Sequence, residues 1–185
     1  ENIGGSWSQI GQDIDGEASG DESGRSVSIS SDGNIVAIGA QNNDENGNNS
    51  GHVRIYEDIG GSWFQIGQDI DGEATNDNFG YSVSLSDDGN LVVIGAPYND
   101  GNGNNSGRVR VFENIGGSWS QVGQDIDGEN SDDASGCSVS ISSDGSIVAI
   151  GAQGNEGETI ITDTFNLIAS GHVRIYENIG GYWSQ

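Results

Sequence analysis

Residues 24–40 read GRSVSISSDGNIVAIGA, and this stretch decides the fold class. Its first half alternates Ser with Val27 and Ile29, the period-two pattern of a half-buried strand. Its second half, NIVAIGA at 34–40, is a continuous apolar run that suits a strand covered on both faces. Asp32-Gly33 between them is a hairpin signal. Working outward, GHVRIYE (51–57) alternates again and runs through Asp58-Ile59-Gly60-Gly61 into SWFQIGQDI (62–70), which reads as a second hairpin. The chain has three Leu and no apolar stripe at helical spacing. The prediction is an all-β protein of antiparallel four-stranded units.

The same frame returns along the chain. ENIGGSW at 1–7 recurs as EDIGGSW at 57–63, ENIGGSW at 113–119 and ENIGGYW at 177–183. Residues 1–56 and 57–112 share 39 identities in 56 positions without a gap. This defines unit 1 (1–56), unit 2 (57–112), unit 3 (113–176) and the start of a fourth (177–185). The third carries eight extra residues within GNEGETIITDTFNLIA at 154–169. A four-stranded unit of this length, repeated, belongs either to a radial β-propeller with one sheet per blade or to a linear array.

Unit 2 brackets its inner strands with Phe79-Gly80 and Gly95-Ala96-Pro97. In this it resembles the FG-GAP repeats of integrin α-chain propellers and of secreted microbial and algal proteins. Units 1 and 3 keep the frame as Ser23-Gly24 with Gly39-Ala40-Gln41, and Ser135-Gly136 with Gly151-Ala152-Gln153. The resemblance implies β-propeller blades and an extracellular adhesive or scaffolding role. Integrin-type blades often hold calcium in an Asp-rich loop between the first two strands, but here that place is only Ser-Asp-Gly or Asp-Asp-Gly, so that cation site is not carried over. Closed propellers have about four to eight blades. Three units are therefore expected to be part of a longer repeat array, or to be completed in trans. In the second case the strand at 5–15 pairs beside 171–177 of another copy, giving a head-to-tail or strand-exchanged oligomer or fibre.

Charge narrows the partners. Twenty-nine acidic residues stand against five basic ones, all Arg, for a formal net charge of −24. Phosphate neutralisation needs clustered Lys and Arg, so nucleic acid and anionic membranes are excluded as partners. One Cys (Cys137) leaves no internal disulfide or Cys-rich zinc site, and no apolar run suggests membrane insertion. The recurring aromatics argue against disorder.

Much of the acid lies in one loop per unit: DIDGEASGD (13–21), DIDGEATND (69–77) and DIDGENSDD (125–133). Such a loop is either a solvated Asp-Gly turn or a calcium site. In the calcium reading the ligands are Asp13, Asp15, Glu17 and Asp21, then Asp69, Asp71, Glu73 and Asp77, then Asp125, Asp127, Glu129 and Asp133. Asn48 and Asn104 open Asn-Asn-Ser triplets at matching positions and are candidate N-glycosylation sites. The insertion in unit 3 brings Ile160, Ile161, Phe165, Leu167 and Ile168 into a polar region, a candidate partner contact.

Catalytic patterns do not form. His52, Arg108 and His172 share one repeat position and read as blade-edge residues, Cys137 has no recurring His partner, and no nucleophile or phosphate-cradling motif occurs. Arg54, Arg110 and Arg174 suit cross-strand pairing with acids, and the four Trp suit blade-edge packing or a sugar-stacking row. The expectation is a non-enzymatic extracellular or cell-surface structural protein that acts through assembly or adhesion. The alternative is a calcium-dependent module for a glycan or a cell-surface protein.

Overall fold

The computed structural model describes residues 2–156 and 169–185, and among them every regular element is a strand. A short hairpin of β1 (Asn2–Ile3) and β2 (Ser6–Trp7) opens the chain. The first large sheet runs β3 (Ser26–Ile29), β4 (Ile35–Ala40), β5 (His52–Asp58), β6 (Trp63–Gln65), with β7 (Ile70–Asp71) on the same edge of β5 as β6. The second repeats it as β8 (Ser82–Leu85), β9 (Leu91–Ala96), β10 (Arg108–Ile115), β11 (Ser118–Gln121) and β12 (Ile126–Asp127). The third is β13 (Ser135–Ile141), β14 (Ile147–Ala152), β15 (His172–Ile179) and β16 (Tyr182–Ser184). All pairings within the sheets are antiparallel.

Each sheet begins at the alternating Ser-Val run and ends at the Trp strand, so the sequence repeat starts inside the third strand of a sheet. Residues 2–15 are the repeat equivalents of 58–71, which carry β6 and β7, and their regular structure is the β1–β2 hairpin. The Asp-Gly turns are wider than a two-residue hairpin. Ser30 N–H donates to the Ile35 carbonyl (2.9 Å) and Gly33 N–H to the Ser30 carbonyl (3.0 Å). Gly33 stands at φ +77°, where any larger residue is strained.

The apolar core lies between sheets. Val53 and Ile55 of β5 meet Val83 and Leu85 of β8 in one cluster, and Val109 and Val111 of β10 share the next with Val148 and Ile150 of β14. Each fully buried Val or Ile contributes about 1.5–3 kcal/mol, so a sheet gains its stability from its neighbour.

Candidate functional site

The contact between consecutive sheets is built the same way twice, and Gly is its hinge point. Gly39 lies so close to the Gly80 carbonyl that a Cβ there would stand 2.1 Å from that oxygen; Gly95 meets the Gly136 carbonyl at the same 2.1 Å. The Ser26 hydroxyl donates to the Gly80 carbonyl (2.7 Å), and the Ser82 hydroxyl to Gly136 (2.8 Å). Gly51 and Gly107 bridge in parallel to Phe79 and Ser135. Phe79 itself is buried in the first junction. Thus the Phe-Gly or Ser-Gly pair of one unit plugs into the Gly-Ala corner of the unit before it.

Trp closes the outer rim of each junction. Trp63 Nε1–H donates to the Ile10 carbonyl (3.1 Å), Trp119 to Ile66 (2.9 Å) and Trp183 to Val122 (3.0 Å). Gln12, Gln68 and Gln124 donate to the Trp63, Trp119 and Trp183 carbonyls. Trp119 and Trp183 are buried, which favours packing over a sugar-stacking row. Trp7 stands at the same repeat position and is 83% exposed.

Among the described residues two apolar faces are exposed. On β3, Val27 (64%) and Ile29 (59%) are exposed, whereas their equivalents Val83 and Leu85 are buried. On β15, Val173 (67%) and Ile175 (59%) are exposed, whereas Val53, Ile55, Val109 and Val111 are buried. A recess of about 450 Å³ lies beside β15, lined by Cys137, Ser138, Gly151, Gly171 and Val173 among others. Gly151 and Ser138 are the repeat equivalents of Gly39 and Ser26, so this recess corresponds to the socket of the other two junctions. Gly24, the matching plug, has nothing within 4 Å of the place its Cβ would take.

The acidic loops do not gather their own four carboxylates. Asp21, Asp77 and Asp133 are buried and accept from the Asn43, Asn99 and Asn155 side chains (3.1, 2.8 and 3.1 Å) and from backbone N–H groups of Ala18, Ala74 and Asn130. Burial pushes the Asp77 carboxyl up, opposed by the Asn99 and Ala74 donors. Asp13 and Asp125 each accept from the Gln four residues earlier at 2.8 Å, and Asp69 likewise accepts from Gln65. Asp15 uses its carbonyl, which accepts from Arg54 (2.7 Å), as Asp71 does from Arg110 (3.2 Å) and Asp127 from Arg174 (2.8 Å). These three Arg are buried and serve the loops, in place of the cross-strand pairs expected for them. Each also faces a Glu of that loop: Glu17 at 3.5 Å, Glu73 at 3.2 Å and Glu129 at 3.7 Å.

One further position was read as a simple edge and is not. His52 begins β5, is 1% exposed, and its Nδ1 has no hydrogen-bond partner. Glu17 lies 3.7 Å and Asp69 3.9 Å from that nitrogen, and Glu45 completes the group. Burial lifts the nearby Asp71 carboxyl, with Asp69 adding to the lift and His52 opposing it. In unit 2 the same register position holds Arg108, which pairs with Glu73 (2.7 Å), Asp125 (3.0 Å) and Asp127 (2.7 Å).

The loops where integrin-type blades hold calcium do not fit that ion. Asp32, Asp88 and Asp144 each spend their carboxylate on their own turn, accepting from Ser30, Ser86 and Ser142 at 2.7 Å and from the following backbone N–H. The Ser142 hydroxyl and the Ser146 donors hold the Asp144 carboxyl down to about 2. Asn48 and Asn104 are exposed, while the hydroxyls of Ser50 and Ser106 are buried against the Asn43 and Asn99 carbonyls. Ile160, Ile161, Phe165, Leu167 and Ile168 lie outside the described residues.

The plug-and-socket geometry is carried by the residues that give a known repeat its name. Residues 14–56 and 70–112 match the FG-GAP repeat. Two of the units thus match the FG-GAP repeat. In unit 2, Phe79-Gly80 is the plug that enters the Gly39-Ala40 corner, and Gly95-Ala96-Pro97 is the corner that receives Ser135-Gly136. Among curated proteins none matches the chain. Solved structures share its fold at low identity. One, from Bacteroides uniformis and assigned as a 6-phosphogluconolactonase, is 13% identical with a TM-score of 0.53, over 86% of this chain and 38% of that one. Another, hydrazine synthase of Kuenenia stuttgartiensis, is 12% identical with a TM-score of 0.54, over 97% of this chain and 38% of that one. The chain thus spans 38% of the length of either. These likenesses show the fold, antiparallel blades of a β-propeller. Among the described residues no helix is long and apolar enough to cross a membrane.

Proposed function

We propose that these FG-GAP blades form a non-catalytic, extracellular assembly module whose two open faces dock copies head to tail. One observation carries the reading. The exposed face of β3 and the exposed face of β15 are the two halves of a junction that the chain already makes twice with its own units. The occupant that fits each is therefore another blade of the same kind, and for this chain on its own a second copy supplies it. Because the halves differ, the contact is heterologous, and it propagates as a ring if the rotation closes or a fibre if it does not. The interior junctions supply its expected contents: a Ser hydroxyl on a Gly carbonyl, a Gly-to-Gly close approach and an apolar cluster. Extracellular placement rests on the company FG-GAP repeats usually keep.

Light scattering over a hundredfold concentration range tests this. The mass should climb above 19.2 kDa with concentration. Val27→Asp places a carboxylate on a face already exposed and should hold the chain at its monomer mass without loss of fold. A wild type that stays monomeric throughout would overturn the reading.

A further inference from the structure

We infer that Glu17, Glu45, His52 and Asp69 form a binding site for a divalent first-row transition ion such as zinc. This goes beyond head-to-tail docking and does not depend on it.

Four ligand atoms, one imidazole nitrogen and three carboxylate oxygens, lie within 4.8 Å of one another. The Nδ1–oxygen separations of 3.7 and 3.9 Å compare with roughly 3.4 Å between ligand atoms around a tetrahedral ion with bonds of about 2.0–2.1 Å. Small side-chain rotations close that difference, since Glu17 and Glu45 are exposed at the rim. The cluster opens through a recess of about 480 Å³ lined by Glu17, Asp21, Asn43, Asp44 and Glu45, which gives a hydrated ion a path.

Two independent observations raise this above a crowd of acids. The first is the His52 Nδ1, buried and without a hydrogen-bond partner, aimed at Glu17 and Asp69. A buried polar atom left unsatisfied costs about 1–3 kcal/mol, and a metal bond removes that cost. The second is the chain's own comparison. Where unit 2 has Arg108, a guanidinium stands 2.7 and 3.0 Å from Glu73 and Asp125, the repeat equivalents of Glu17 and Asp69, and 2.7 Å from Asp127, the equivalent of Asp71. One unit supplies its cation covalently; the other presents two matching carboxylates, an imidazole and Glu45, whose place in unit 2 is Gly101. At His172, Glu129 lies 3.9 Å away, the counterpart of the Glu17 contact.

The donor set selects the ion. Imidazole suits zinc, copper, iron and nickel, whereas calcium and magnesium want oxygen alone. Zinc binds tighter than manganese at such a site.

The test is isothermal titration of zinc chloride into the metal-stripped full chain, with thermal unfolding alongside and cobalt chloride as a spectroscopic probe. Zinc should bind one to one, raise Tm, and be displaced by neither calcium nor magnesium in tenfold excess. His52→Arg copies unit 2 and should weaken zinc at least tenfold while Tm without metal holds or rises. Glu45→Gln, an exposed loop change, should weaken zinc severalfold with Tm unchanged in its absence, and keeps the test alive if His52→Arg folds poorly. His172→Ala should bind as wild type. Absence of zinc binding, equal binding by wild type and both site variants, or displacement by calcium would overturn the inference.

Discussion

At the scale of single residues, the turns show how much one carboxylate can fix. Asp144 accepts from Ser142, from the Ser146 amide and from the Ser146 hydroxyl, so its charged form is favoured in the folded chain. A carboxyl whose folded value is depressed stabilises fully above its unfolded value near 3.8 and loses that contribution as pH falls through about 2. Asp144→Ala should therefore lower Tm at pH 7, and the gap to wild type should shrink between pH 4 and pH 2. A gap that is constant with pH would mean that the hairpin does not depend on the charge. The sequence marks this Asp through its Asp-Gly pair, but it does not mark His52. The signal was there in the alternation of His52, Arg108 and His172 at one register position beside repeated acids. What hid it is that Glu17 and Asp69 belong to successive loops, and Glu45 to a third; only the fold brings them to His52.

At the scale of elements, identical dipeptides meet different surroundings. Gly95 of β9 faces the Gly136 backbone at 2.1 Å from a would-be Cβ, whereas Gly151 of β14 meets only the Ser138 side chain and its own strand partner's backbone. Gly95→Ala should cost at least about 2 kcal/mol, as overpacking against backbone does, and Gly151→Ala within about 1 kcal/mol, read by chemical denaturation. Equal costs at the two positions would show that the close approach is not what holds the junction. The strands themselves were legible from alternation and from the apolar runs, and the structure places all four per sheet. The partition was not, because identity between units says nothing about where a sheet starts. The ENIGGSW frame straddles the hairpin that joins the third strand to the Trp strand. Likewise the tight spacing of the acidic loops along the chain suits either a turn or a calcium site, and in the fold Asp21 turns inward to Asn43 while Glu17 faces Arg54 and His52.

At the scale of the whole molecule, three sheets share two cores, and the outer faces of the end sheets remain as apolar as the inner ones. A net charge of −24 opposes the approach of like copies, so docking belongs at an ionic strength of about 0.15 M or above, where the Debye length falls to about 8 Å. Complementation reads the junction most directly. Val27→Asp blocks the β3 face but leaves β15 intact; Val173→Asp does the reverse. Each variant alone should be monomeric, and their equimolar mixture should form a dimer of about twice 19.2 kDa and nothing larger, by light scattering at micromolar concentration. A mixture that stays monomeric, or either variant assembling alone, would contradict the account.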